Sequence, residues 1–313
     1  MNLTNLPEAV LLKARNLGST GEQWIATLEE TVSYLALQWQ FVPQEILRGG
    51  SESLVLLVDL EDGSSAVLKV GLPNYDCRTE AHVLQIANGV GYPRLIEHDE
   101  VHNALLLERL GETLADSNLA VSQQIETLCQ TLQEAWIPLE SSLGLMTGSE
   151  KARWLSNFIE TTWRELDKPC AEITKDLALA FAMEREAAFN PNHSVLIHGD
   201  AHSQNTLRSL DGKGRYKFVD PDGLFAEPAC DLAVPMREWN DELLEGDAIT
   251  LGQARCRKLA MLTSTDERAI WQWGFMERVS TGLLLLRIGM TQAGVQTLTI
   301  ADLWSNASIS WNR

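Results

Sequence analysis

Two stretches of sequence decide how this chain is interpreted: VLIHGDAHSQNTL at residues 195–207 and YKFVDPDG at residues 216–223. Each begins with a short apolar run, Val195–Ile197 in the first and Tyr216–Val219 in the second. Both runs are long enough for short strands, and the turn Asp211–Gly214 between them predicts that the two strands pair. The polar residues that follow each run would then lie close together.

These polar residues form a candidate site for phosphoryl transfer. If the strands pair antiparallel, Asp200, Asn205 and Asp220 converge. Two carboxylates and an amide oxygen suit Mg²⁺, which binds hard oxygen ligands and shares them with substrate phosphates. Phosphoryl transfer is the chemistry implied, because positioning and charge neutralisation carry most of its catalysis.

The first third of the chain supplies candidates for binding the phosphates of a nucleotide. Lys69 ends the second strand of a predicted hairpin, and Glu80 opens the next predicted helix, where it would pair with the Lys69 ammonium. Gly49, Gly50 and Ser51 precede the hairpin, and glycine there lets backbone N–H groups approach phosphate oxygens. The expected nucleotide is ATP or GTP, and the expected metal is Mg²⁺.

Hydrophobic periodicity predicts an α+β fold with two lobes. The first part of the chain reads as a leading helix, a hairpin at an Asp-Gly pair, a helix and a further strand. This order predicts a small β-rich lobe with one key helix, the one that follows the hairpin. These segments are residues 1–40, Leu54–Val58 with Ala66–Val70, Glu80–Ile86, and Ala104–Glu108. The larger lobe is mostly helical, with helices at Ser122–Ile137, Lys151–Leu166, Asp176–Phe189 and a central apolar Ile270–Gly289. The expected division is residues 1–110 for nucleotide binding and residues 111–313 for the catalytic and metal-binding loops.

The order of these parts resembles a bilobal protein kinase reduced to its essentials, and more closely the aminoglycoside phosphotransferase group. The likeness is carried by RGGSES, AVLKV, TEAHVL, LLLERL, VLIHGDAHSQNTL and FVDPDGLFAEPACDLA. Within that group the Asp-Pro-x-Gly and Glu-Pro-x-x-Asp-Leu layout is similar to that of the aminoglycoside/hydroxyurea resistance kinases, which include streptomycin kinases. The resemblance implies transfer of the terminal phosphoryl group of a nucleotide to a hydroxyl of a small molecule.

The resemblance also implies a role for each matching residue. Asp200 orients the acceptor hydroxyl and takes its proton, while Asn205 and Asp220 hold magnesium. On the nucleotide side, Lys69 contacts the phosphates and Glu80 orients Lys69. The backbone of the segment Glu108, Arg109 and Leu110 bonds the base, and the motif residues His198, His202 and Asp231 brace the catalytic loop.

The charge of the chain bears on its partners. With 43 acidic and 25 basic residues the net charge is -18, which disfavours nucleic acid and anionic membranes and favours a cationic ligand. Between residues 220 and 247 the single basic residue is Arg237. The family resemblance implies an antibiotic or another small hydroxyl compound as the acceptor, and the acidic segment favours an amino- or guanidino-bearing one, of the aminoglycoside or basic peptide type. The acidic candidates for binding it are Asp222, Glu238, Asp241 and Glu242.

The remaining global features are consistent with a cytoplasmic protein. The five cysteines are scattered and lack CxxC spacing, so reduced thiols that serve packing are expected. No apolar stretch is long enough to span a bilayer, and the first residues lack a signal-peptide layout. A monomer is the default expectation for the oligomeric state.

Three other functions compete with the antibiotic kinase. One is a kinase of an ordinary hydroxyl metabolite, since an excess of acid is common in proteins. A second is a nucleotide-binding module without catalysis, which is disfavoured because Asp200, Asn205, Asp220 and Lys69 are all present. A third is a metalloprotease with His198 and His202 as zinc ligands, which is disfavoured because glycine occupies the place of its catalytic glutamate.

Overall fold

The computed structural model describes residues 6–307 and contains two compact units. Unit 1 comprises the chain up to Gly111 together with Arg208–Val219, and unit 2 comprises Glu112–Leu207 and the chain from Asp220 onward. Within residues 6–307, no helix combines the length and the apolar character that crossing a membrane requires.

Unit 1 is built on a five-stranded antiparallel sheet with the order β1-β2-β3-β5-β4. Its elements are α1 (Glu8–Asn16), α2 (Ser19–Trp39), β1 (Phe41–Ile46), β2 (Ser53–Leu60), β3 (Ser65–Gly71), α3 (Cys77–Ala87), β4 (Leu95–Asp99) and β5 (Ala104–Glu108). Alternate residues of β2 are buried, as expected for a sheet with one face in the core. They pack with Leu28, Val32 and Leu35 of α2, so this helix covers the sheet. The leading segment predicted as one helix forms two, α1 and α2, with residues 1–5 outside the described part of the chain.

The predicted hairpin of unit 1 is confirmed. Strands β2 and β3 pair from Ser53 with Gly71 to Asp59 with Ser65. In the turn, Leu60 N–H donates to Ser64 O at 2.8 Å, and the Asp62 carboxylate accepts from Ser64 N–H at 2.9 Å. These local bonds stabilise the Asp-Gly turn and thereby fix the register that places Lys69 in the sheet.

Unit 2 is mostly helical and packs around one buried helix. Its helices are α4 (Val121–Ala135), α5 (Gly148–Glu165), α6 (Glu172–Ala188), α7 (Ala233–Arg237), α8 (Asn240–Glu245), α9 (Ala248–Thr263), α10 (Glu267–Arg287) and α11 (Thr291–Ser305). Helix α10 is buried from Ala269 to Ser280 on every face, which agrees with the prediction that an apolar helix occupies the centre. The α+β class is confirmed, with a β-rich first unit and a helical second unit.

The prediction that Val195–Ile197 pairs with Tyr216–Val219 is wrong. Strand β8 (Val195–Ile197) pairs with β6 (Ile137–Pro138) and β11 (Leu224–Ala226), and β7 (Met146–Thr147) pairs with the other edge of β11. Strand β10 (Tyr216–Phe218) pairs instead with β9 (Thr206–Arg208), which directly precedes the turn. A three-residue strand shows too little alternation of apolar and polar residues to specify its partner. Strand β10 therefore pairs with the strand that the preceding turn brings next to it.

Candidate active site

The candidate phosphate-binding lysine of unit 1 lies in a buried ion pair. Lys69 pairs across the sheet with Val55 on β2 and Leu105 on β5, so its backbone is held on both sides. Its Nζ lies 2.6 Å from Glu80 Oε2, and the two side chains are 7% and 3% exposed. Helix α3 supplies Glu80 from its first turn, where an acidic residue also interacts favourably with the helix dipole.

Tyr75 contacts both residues of this ion pair, and sequence reasoning missed it. Lys69 Nζ donates to the Tyr75 hydroxyl at 2.9 Å, and that hydroxyl donates to Glu80 Oε2. The ring fits because position 71 is glycine: a Cβ on Gly71 would lie 2.4 Å from the Tyr75 ring. Burial and the charge of Glu80 raise the pKa of Tyr75 far above its usual value, so the hydroxyl stays protonated. Tyr75 thus restrains both charged side chains.

The glycine segment connects β1 to β2. Gly49 has a φ of 127°, and a Cβ on Gly50 would approach Val55 Cγ2 to 2.8 Å and Ser53 O to 2.9 Å. Only glycine fits both positions without displacing the chain. Ser51 Oγ accepts a hydrogen bond from Lys13 Nζ at 3.2 Å, which links this loop to α1.

The predicted base-binding segment lies at the end of β5. Glu108 N–H donates to Arg94 O at 2.9 Å, and its carboxylate accepts from Lys217 Nζ at 2.7 Å. That N–H and that carboxylate are therefore both bonded within unit 1.

In unit 2 a buried carboxylate supports the start of the catalytic loop. Asp231 accepts from His198 N–H at 2.9 Å, from Gly199 N–H at 2.7 Å and from the Trp136 indole at 3.0 Å. Burial raises the pKa of Asp231, while the His198 ring and these donors oppose that rise. Three donors on one buried carboxylate hold the backbone that enters the loop rigidly.

The two motif histidines also bond the loop backbone. His198 Nδ1 accepts from Asp200 N–H at 3.1 Å, and His202 Nδ1 accepts from Asn205 N–H at 3.2 Å. Since the Nδ1 atom of each ring accepts from the backbone of the loop, their four-residue spacing reflects loop geometry. Within residues 6–307 no group of three or more His, Cys, Asp or Glu side chains is arranged to hold a metal ion.

The residues predicted to hold magnesium fit that metal in the chemistry of their donors. Asn205 Nδ2 donates to Asp200 O at 3.1 Å, which leaves Oδ1 as the amide atom suited to a cation. Asp220 has a φ of 56°, a left-handed conformation in which aspartate is enriched among non-glycine residues. An amide oxygen and a carboxylate are hard ligands of the kind Mg²⁺ selects.

Asp200, the predicted catalytic residue, contacts a basic side chain through each of its carboxylate oxygens. Arg237 Nη2 contacts Oδ1, and His202 Nε2 lies 3.4 Å from Oδ2. The Asp200 side chain is nevertheless 34% exposed, so it remains accessible. Burial alone would raise the pKa of Asp200, but the His202 hydrogen bond and the Arg237 charge outweigh it and hold that pKa well below its usual value.

Sequence reasoning also missed the residues behind Arg237. Its Nη1 donates to Thr281 Oγ1 at 2.8 Å and lies 3.4 Å from Glu277 Oε2. Glu277 in turn pairs with Lys151 Nζ at 3.3 Å. These residues come from α5, α7 and α10, far apart in sequence, so nothing in the local pattern points to them. A buried glutamate inside the apolar α10 run was the available signal.

The β8–β11 pairing brings Asp222 to the catalytic loop. Ile197 pairs with Leu224, so Asp222 falls opposite Gly199, and a Cβ on Gly199 would lie 2.8 Å from Asp222 Cβ. Gly199 has a φ of 90°, and only glycine tolerates both that conformation and this contact. Burial raises the pKa of Asp222, and the charge of Lys151 opposes the rise.

The other predicted acceptor-binding acids differ in environment. Glu238 accepts from Ser203 N–H at 3.3 Å and from Ser203 Oγ at 3.2 Å, so it supports the catalytic loop. Glu242 pairs with Arg255 at 2.6 Å. Asp241 is exposed on α8. The structure therefore brings Asp222 and Glu238 to the catalytic loop, while Glu242 is bonded to α9.

Taken with the fold, these features define a small-molecule kinase of the protein-kinase-like class. The structure is similar in fold to the choline kinase LicA from Streptococcus pneumoniae, with a TM-score of 0.59 and 12% identity over 88% of this chain and 97% of that one. A likeness at this identity concerns the fold alone.

Sequence comparison assigns the family. The family model for aminoglycoside/hydroxyurea antibiotic resistance kinases matches residues 38–288, and the chain belongs to that family. It is 26% identical to a streptomycin 6-kinase from Streptomyces glaucescens, over 96% of this chain and 97% of the relative. It is 28% identical to a hydroxyurea phosphotransferase from Kitasatospora aureofaciens, over 85% and 79%. The chain is thus a phosphotransferase that acts on small molecules, as the motifs predicted.

Proposed function

We propose that this kinase transfers the terminal phosphoryl group of ATP to a hydroxyl of a cationic antibiotic of the aminoglycoside type. The observation that carries the proposal is the Asp200 carboxylate, which is accessible, is kept ionised by Arg237 and His202, and sits on a loop fixed by Asp231. In this role Asp200 accepts a hydrogen bond from the acceptor hydroxyl, orients its oxygen and takes its proton as the P–O bond forms.

Residues of unit 1 act on the nucleotide in this proposal. Lys69 contacts the phosphates, with Glu80 fixing the position of its ammonium. The backbone N–H groups of Gly49, Gly50 and Ser51 approach the phosphate oxygens, and Glu108 and Leu110 bond the base through their backbone. Residues 1–110 therefore serve nucleotide binding, and residues 111–313 serve catalysis.

Asn205 and Asp220 are the proposed ligands of magnesium. The bound ion would supply charge neutralisation on the phosphates. Asn205 also ties its amide to the Asp200 carbonyl, so the same side chain fixes the catalytic loop and presents an oxygen ligand. Substitution of Asn205 should for this reason affect both metal dependence and the geometry at Asp200.

The cationic acceptor is supported by the charges near Asp200. Asp222 and Glu238 add carboxylates at the catalytic loop beside Asp200. The cations near them, Arg237, Lys151 and Arg255, are each paired with an acidic side chain. The net charge of -18 would attract a polycation over a longer range. Among the predicted acids, Asp222 is the strongest candidate to contact the acceptor, because Glu238 and Glu242 already bond within the protein.

The test is a phosphorylation assay followed by mass spectrometry. The purified chain is incubated with ATP and magnesium together with streptomycin, other aminoglycosides, basic peptide antibiotics, hydroxyurea or neutral hydroxyl metabolites. The proposal expects a phosphate adduct on an aminoglycoside that disappears on chelation and with Asp200→Asn. An adduct confined to neutral compounds would contradict the cationic acceptor while leaving the kinase assignment intact.

Hydroxyurea is the second candidate acceptor, favoured by the relative that is named a hydroxyurea phosphotransferase. Hydroxyurea is small and uncharged, so it gains nothing from acidic residues around Asp200. Asp222→Asn distinguishes the two: it should raise the KM of a cationic acceptor and leave the KM of hydroxyurea unchanged. Glu245→Gln, at an exposed acidic residue of α8 that is not among the predicted acceptor-binding residues, is the matched control.

A further inference from the structure

The side chain of Arg237 connects the catalytic loop to the buried helix α10. One nitrogen, Nη2, contacts Asp200 Oδ1, while Nη1 bonds Thr281 Oγ1 at 2.8 Å and approaches Glu277 Oε2 to 3.4 Å. Guanidinium is planar, so occupation of both Nη atoms fixes the plane of the group as well as its position. Arg237 is 20% exposed and Glu277 is 8% exposed, so water competes little for the contact between these two side chains.

Glu277 is restrained from a second side. Its Oε1 lies 3.3 Å from Lys151 Nζ on α5, while Oε2 faces Arg237. The Glu277 carboxylate therefore lies between two cationic side chains, and it can attract both. The charges thus alternate along one continuous row: Asp200, Arg237, Glu277 and Lys151.

We infer that Arg237 is a positioning residue that fixes the rotamer of the catalytic carboxylate Asp200, with Glu277, Thr281 and Lys151 fixing Arg237 in turn. The inference rests on the proposed role of Asp200. With Oδ1 held by Arg237 and Oδ2 near His202, the carboxylate is restrained at both oxygens. Each oxygen still has a second lone pair, so the acceptor hydroxyl can bond without displacing the arginine.

This arrangement makes a specific kinetic prediction. Loss of Arg237 misorients the base without touching the nucleotide-binding residues of unit 1, so kcat should fall while the KM of ATP stays within about twofold. Since a displacement of about 1 Å at a reacting group can cost about 10²-fold in rate, Arg237→Gln should lower kcat by about 10- to 100-fold. Arg237→Lys keeps the charge but loses the two-pronged contact, and should recover only part of that loss.

The double-mutant cycle with Asp200→Asn separates positioning from general damage. If Arg237 acts through the Asp200 carboxylate, Arg237→Gln should change the residual rate of Asp200→Asn by less than about threefold. Multiplicative losses in the double variant would overturn the inference. So would an Arg237→Gln variant with raised kcat, which would make the contact inhibitory, or one with a strongly raised KM for ATP, which would make Arg237 a phosphate ligand.

A milder variant keeps the test valid if Arg237→Gln does not fold. Thr281→Val has the same shape and removes only the hydroxyl that accepts from Arg237. It should lower kcat several-fold with the KM of ATP unchanged, and an unchanged kcat would count against the inference. The matched control is Arg268→Gln, which removes an arginine of α10 that pairs with Glu184 away from Asp200. Its kcat should equal that of the unmodified protein.

The outcomes also separate this inference from the proposed function. Full turnover of Asp200→Asn would remove Asp200 from its proposed role, and the inference would fall with it. An inactive Asp200→Asn beside a fully active Arg237→Gln would overturn the inference alone. Circular dichroism and thermal melting of each variant show whether a lost rate reflects lost fold.

Discussion

Two ion pairs, one in each unit, differ in how they are built. Lys69 and Glu80 are eleven positions apart and come from a strand and the next helix. Asp200 and Arg237 are 37 positions apart, and the residues that hold Arg237 lie still farther along the chain on α10. The first pair follows from one strand-to-helix connection, whereas the second depends on how the helices of unit 2 pack. Local pairs can therefore be foreseen from sequence, and packed networks cannot.

The largest expected effect concerns the catalytic end of the unit 2 pair. Asp200→Asn keeps the shape of the side chain but cannot take the acceptor proton, so kcat should fall by about 10²- to 10⁴-fold. Nucleotide affinity, measured by calorimetry with magnesium present, should stay the same because Lys69 and Glu80 belong to unit 1. Turnover near that of the unmodified protein would show that Asp200 does not have its proposed catalytic role.

The corresponding change in unit 1 removes the lysine. Lys69→Met keeps an unbranched side chain and deletes the ammonium group, so kcat/KM for ATP should fall by about 10²- to 10³-fold, as for loss of a charged contact to the phosphates. Steady-state kinetics at varied ATP measures this. Lys213→Met, at an exposed turn of the same unit, is the control and should have no effect. Equal losses in both variants would mean that overall charge, and not the ion pair, controls nucleotide use.

A third prediction concerns the scaffold of the unit 2 loop. An amide at position 231 has one oxygen for the three donors that the Asp231 carboxylate accepts from, so at least one buried donor loses its partner. Asp231→Asn should therefore lower the free energy of unfolding by about 1–3 kcal/mol in denaturant titration. Asp241→Asn, in the same acidic segment but exposed, should leave stability unchanged. A stable Asp231→Asn would show that the loop needs no such anchor.

The smallest expected effect concerns Tyr75 and tests whether the Lys69–Glu80 pair, like the pair in unit 2, depends on a neighbouring side chain. Tyr75→Phe keeps the ring against Gly71 but removes the hydroxyl that bonds both Lys69 and Glu80. Loss of one such hydrogen bond costs about 1 kcal/mol, so kcat/KM for ATP should fall by about three- to tenfold. An unchanged value would mean that Lys69 and Glu80 position each other without help.

Elements with a clear period or turn signal were predictable. The strand predicted at Ala104–Glu108 coincides with β5 residue for residue, and the Asp62-Gly63 turn identified the hairpin. Strand β1 was missed because Pro43 interrupts its pattern, which an edge strand tolerates since proline there loses no ladder bond. Strand β11 was missed because Leu224–Ala226 is too short and too uniformly buried to show alternation.

In the candidate site, too, contacts within one loop were predictable and contacts between distant segments were not. The motif placed Asp200 beside Asn205, because both lie within one short loop. Arg237, by contrast, was notable only as the single basic residue between positions 220 and 247. Nothing in the sequence indicated that it contacts Asp200. Sequence spacing also did not show which of the acids predicted to line the acceptor site already have a partner in the protein. Glu242, for example, pairs with Arg255.

The sequence by itself determined the α+β class, the kinase motifs and the loop that carries Asp200, because turns, periodicity and motif spacing act over a few residues. Only the tertiary structure decided that β8 pairs with β11, so that Asp222 lies against Gly199. It alone decided that Arg237 and Glu277 stand behind Asp200. The physical reason is that strand register and buried charge pairs are set by packing between distant segments, where many partners are compatible with the same local pattern.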